Sequence, residues 1–168
     1  MVNNCVATSS LPSINREYVE RFLVSKTRKP KPQFGHCKSW VYVIQASDTG
    51  PVKIGIATDP WHRLDGLQCG SWEQLTLRAA VAIWDGTYAE VEAKAHQLAA
   101  SQRIRGEWFR LEPLDAIACI LKAAREIGSH AVDSVEAKRL WSERHKRDVQ
   151  ESLEQQRLLL CQKLGVDP

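Results

Sequence analysis

WVYVIQASDTGPVKIGIATDPWHRL, residues 40–64, carries two runs of β-branched and aromatic residues on either side of a turn. Trp40 to Ala46 and Val52 to Ile56 have strand composition, and Ser47-Asp-Thr-Gly-Pro51 between them supplies turn chemistry. That connection is too short for the crossover a parallel pair requires, so the two runs form an antiparallel hairpin. Side chains alternate faces along a strand, which puts Tyr42, Lys53 and Gly55 together on one face, a phenol beside an ammonium.

Outward from the hairpin, Asp59-Pro60 reads as an N-cap followed by proline at the first helical position, and Gly70 closes that helix after Leu64 and Leu67. Leu75 to Trp84 returns as a third strand. Thr87-Tyr-Ala-Glu90 has the capping-box pattern, and Tyr88, Val91, Ala95 and Leu98 make one apolar stripe, predicting a helix from Tyr88 to about Ser101. Trp108 to Leu111 is a short extended piece. Pro113 opens a helix with Leu114, Ile117, Ile120, Leu121, Ala124 and Ile127 on its inner face, terminated by Gly128.

The expectation is an α+β fold, a small three-stranded antiparallel sheet flanked by helices, over residues 39–128. Residues 1–38 read as a disordered tail, a short helix from Ser13 to Lys26 with Ser13 as its cap, and a basic linker. Residues 129–168 read as a C-terminal helical extension. From Val132 to Leu164 there is neither Gly nor Pro, and Val149, Leu153, Leu160 and Leu164 form a weak seam broken by Gln156. That seam suits packing or self-association rather than a strong coiled coil.

The net charge of +3 says little about partners, but its distribution says more. Arg21 to Lys38 holds six Lys or Arg and no acid, a cationic arm in which Arg28, Lys29, Lys31 and Lys38 are candidate phosphate contacts, or a solvated linker. Five cysteines with no CxxC pair support neither a disulfide framework nor a zinc site. The first residues lack a basic, apolar leader pattern, and no apolar run is long enough to span a bilayer. A reducing, cytoplasmic setting is the expectation.

Four pieces in order carry a family resemblance: Val41-Tyr-Val43, Lys53-Ile-Gly55 leading into Asp59-Pro-Trp-His-Arg63-Leu64, Glu90-Val-Glu92-Ala-Lys-Ala-His96, and Gly106-Glu-Trp-Phe109. Over roughly residues 40–111 the chain resembles the GIY-YIG nucleases, in the branch containing the phage T5 Orf172 and Mug113-type domains. Val41 stands where the first motif has glycine, and Lys53 where the second has tyrosine, so a two-tyrosine mechanism does not carry over.

The resemblance implies a metal-dependent endonuclease acting on DNA, most simply double-stranded, with one Mg2+ or Mn2+ ion per site. It implies that Tyr42 is the base or orienter of the attacking water, that Arg63 stabilises charge on the phosphoryl oxygens, and that Glu92 is the metal carboxylate. A phenol with a pKa near 10 is a poor base at neutral pH, so a cation must favour its ionised form, and Lys53 is the candidate. Lys53 can equally hold the scissile phosphate or be a strand-surface lysine. His96, one helical turn after Glu92, can orient that carboxylate, contact phosphate or pack. Glu107 reads as a second carboxylate or a hinge contact, and Trp108 and Phe109 as core. Two other readings stand beside the enzyme: a DNA-binding module of the same fold with weak or no cleavage, and a scaffold whose C-terminal helix binds protein.

Overall fold

In the computed structural model, residues 15–23 and 40–164 are described. The arm residues Arg28, Lys29, Lys31 and Lys38, and the tail and linker around them, lie outside the described residues. The hairpin forms as expected: β1 (Trp40–Ala46) pairs antiparallel with β2 (Val52–Ala57), Tyr42 opposite Gly55 and Ile44 opposite Lys53. Across β1 lies β3 (Leu75–Ile83), also antiparallel.

The sheet has six strands rather than the three expected. β4 (Arg103–Arg105) and β5 (Trp108–Phe109) extend it beyond β2, and β6 (Ala131–Val132) extends it beyond β3, in the order β4-β5-β2-β1-β3-β6. These additions are two or three residues long, too short to show a period in sequence.

Helices cover both faces. α2 (Pro60–Cys69) is capped by the Asp59 carboxylate, which accepts from the amides of Trp61 and His62 at 2.9 and 3.0 Å. Its Leu64 and Leu67 pack on Tyr42, Ile44, Leu75 and Leu77. On the other face, Val91 and Ala95 of α3 (Tyr88–Leu98) and Ile117, Ile120 and Leu121 of α4 (Pro113–Ile127) pack on Val41, Val43, Ile54, Ala79 and Val81. β1 is therefore buried at every position, not at alternate ones. Gly128 takes the left-handed conformation (φ 79°) that ends α4.

Three local expectations are corrected. Thr87 does not cap α3 with its side chain; its hydroxyl bonds to Asp85 and Ser129 instead. α3 stops at Leu98, and residues 100–102 form a single tighter turn before β4. The first helix, α1, runs only from Arg16 to Glu20, with Asn15 accepting from the Glu17 amide, and Leu23 bridges to Ala79 of β3. α5 (Ser134–Leu164) is one long helix, its start capped by Asp133 through the amides of Val135 and Glu136. Ala137 and Leu140 pack near Trp40, Ala80, Ala82 and Val132, whereas Val149, Leu153 and Leu160 are exposed.

Candidate nucleic-acid site

The face of β1 and β2 under α2 carries Tyr42, Lys53 and Gly55, as the alternation requires. Gly55 is needed there because the Tyr42 ring crosses it: a Cβ at Gly55 would lie 2.5 Å from the Tyr42 hydroxyl and 2.7 Å from Cζ. Arg63, in the first turn of α2, donates to that hydroxyl. Glu92 arrives from α3, half-buried, close enough to act electrostatically on both Tyr42 and Lys53. Four elements thus bring Tyr42, Lys53, Arg63 and Glu92 to one place.

His96 fixes the approach of α3. Its Nε2 lies 3.1 Å from the Ile54 carbonyl oxygen, which can only accept, so Nε2 carries the proton and donates. The imidazole also rests against Phe109, with ring centroids 5.2 Å apart. His96 thus anchors the helix to the β2 backbone one turn beyond Glu92. β5 pairs with only the start of β2, at Val52 and Lys53, and the Ile54 amide donates to the Glu107 carbonyl.

The electrostatics change two expectations. The cation at the Tyr42 hydroxyl is Arg63, not Lys53. Burial pushes the Tyr42 pKa above the ordinary tyrosine value; the Arg63 hydrogen bond and charge oppose this, while Glu92 adds to it. With 1% of its surface exposed, Tyr42 is a neutral phenol at neutral pH. Lys53, 6% exposed, is pushed below its ordinary value by burial and by Arg63, against a rise from Glu92. Its ammonium forms an ion pair with Glu107. Glu107 is thus a second carboxylate at the edge of the site, brought to Lys53 by the short turn between β4 and β5.

Among the described residues there is no group of three or more His, Cys, Asp or Glu that would cage a metal ion. One half-buried carboxylate at Glu92 fits a hard cation that takes the rest of its oxygens from water and phosphate. It does not fit a closed zinc centre. Cys69, Cys119 and Cys161 are free. No described helix is long and apolar enough to cross a membrane.

The model of the T5orf172 domain matches residues 39–124, half of the chain and all of the elements that build this site. The chain belongs to the T5orf172 domain family. That family is associated with nuclease-like, DNA-binding domains. The match begins at the first strand and ends inside α4, leaving β6 and α5 outside it. Comparisons with curated proteins and with solved structures give no significant match.

Proposed function

We propose that this T5orf172-domain protein is a metal-dependent endonuclease of the GIY-YIG type that hydrolyses phosphodiester bonds in double-stranded DNA. One observation carries the reading: Tyr42 of β1 and Lys53 of β2, on one face beside Gly55, each lie within electrostatic reach of both Arg63 of α2 and Glu92 of α3. A site for DNA binding alone has no need of a half-buried carboxylate where phosphate would sit. Glu92 would hold one Mg2+ or Mn2+ ion, which supplies charge neutralisation at the phosphoryl oxygens and a bound water of lowered pKa.

The exposed Arg63 guanidinium meets the phosphoryl oxygens, where its planar fork suits two of them at once. The neutral Tyr42 phenol holds that guanidinium in place, which favours the orienter over the base. Lys53 takes up phosphate when it leaves Glu107. His96 is a positioning residue acting through the β2 backbone. Arg28, Lys29, Lys31 and Lys38 of the arm add phosphate contacts, and the stripe of Val149, Leu153 and Leu160 on α5 supports self-association.

A DNA-binding module with little or no cleavage is the second reading. It is favoured by the buried neutral phenol, which is a poor base, and by the engagement of Lys53 with Glu107, which competes with phosphate for its charge. Nicking of supercoiled plasmid in Mg2+ or Mn2+, for wild type beside Glu92→Ala, separates them. The endonuclease loses about 100-fold or more of its rate in the variant while keeping DNA affinity. Cleavage surviving in Glu92→Ala removes Glu92 from the metal site. Affinity without cleavage in the wild type establishes the binding module, and no salt-dependent affinity at all leaves the scaffold.

A further inference from the structure

The face that bears Tyr42, Gly55 and Lys53 does not end at β2. Lys53 is in register with Trp108 of β5, and Trp108 with Arg105 of β4, so Arg105 lies on the same face two strands further out. Arg110, just past the end of β5, donates its amide to the Gln102 carbonyl at 2.7 Å, which holds it beside the same edge. Both arginines are exposed, and neither side chain has a hydrogen bond or ion pair within the described residues.

Arg103, on the same hairpin, differs. It pairs in register with Phe109 and so belongs to the opposite face. Its guanidinium donates to the Gly106 carbonyl at 3.0 Å and lies 5.2 Å from the centre of the Phe109 ring. That arginine braces the turn, whereas Arg105 and Arg110 brace nothing. The only acid on the tip between them, Glu107, is already matched to Lys53. Among the described residues, α2 packs chiefly over β1 and β3, and Arg105 and Arg110 at the outer edge are exposed.

We propose that the β4–β5 edge is a phosphate track, on which Arg105 and Arg110 hold the backbone of the nucleic-acid strand that passes through the Tyr42–Lys53–Arg63–Glu92 site. The track rests on the nucleic-acid reading above and extends it outward. From β2 to β4 is two strand spacings, about 10 Å, so this edge carries positive charge outward from the site along the same face. Arginine on an outermost strand also discourages edge-to-edge pairing, but that service requires neither a shared face with the site nor freedom from local partners.

The test is the salt dependence of DNA binding by the full chain, with a short duplex, for wild type, Arg105→Ala, Arg110→Ala and the double variant. Arg125→Ala is the control: Arg125 is exposed on α4, in the helical layer on the other side of the sheet. Each alanine on the track lowers the slope of log affinity against log salt by about 1, and the pair by about 2, while Arg125→Ala leaves it unchanged. Arg105→Lys with Arg110→Lys retains the wild-type slope. Equal slopes for wild type and the double variant overturn the track and leave the function proposed above intact. A wild-type chain with no salt-dependent affinity overturns both. A drop in slope in Arg125→Ala equal to that in the track variants also overturns it, because net charge would then be the cause.

Discussion

At residue scale, the site depends on a missing side chain and a neutral phenol. Gly55→Ala places a Cβ against Tyr42 Cζ and Oη, and the ring must move away from Arg63. The expected cost is about 1–3 kcal/mol in urea denaturation, with a loss of DNA cleavage larger than the loss of DNA affinity. Tyr42 also sets a pH dependence. Its folded pKa lies above its unfolded one, so its contribution to stability is complete below about pH 10 and is lost as pH rises through the folded value. Urea midpoints followed from pH 9 to 11 should fall more steeply for wild type than for Tyr42→Phe. Tyr42, Lys53, Arg63, Glu92 and His96 could all be named from spacing and resemblance. Which partner each cation meets could not, because burial and the turn at Glu107 decide it.

At the scale of elements, local chemistry and long-range pairing divide cleanly. α2 is bounded by its own residues, Asp59 and Pro60 before it and Gly70 after it, so its limits were legible. Asp59→Ala removes the acceptor for two amides and should lower stability by about 1 kcal/mol in chemical denaturation. Because α2 carries Arg63, the same change should also lower the rate of plasmid nicking. α3 shows the opposite case. Its Thr87–Glu90 pattern matched a capping box, yet the Thr87 hydroxyl is drawn to Asp85 and Ser129, and the latter reaches it only because α4 returns beside α3. β4 and β6 carry no local signature, β5 shows only as the short extended run from Trp108, and all three pair because a neighbouring strand offers free backbone groups.

At the scale of the whole molecule, the sheet is completed by residues after the matched domain. β6 pairs with Ala82 and Ile83, Asp133 takes a hydrogen bond from Arg21 at 2.9 Å, and Ala137 is buried. Residues 146–160 of α5, by contrast, stand exposed. A chain ending at Arg147 should keep its Tm within about 2 °C of the full-length protein, while one ending at Gly128 should melt about 5 °C lower or more, both read by calorimetry. The sequence by itself determined the hairpin, the helix limits at Asp59 and Gly128, and the shared face of Tyr42, Lys53 and Gly55, since alternation, caps and turns act over a few residues. Only the tertiary structure decided the six-stranded sheet, the pairing of Arg63 with Tyr42 and of Lys53 with Glu107, and the placing of Arg105 on the face of Lys53, because each joins groups that chain connectivity leaves far apart.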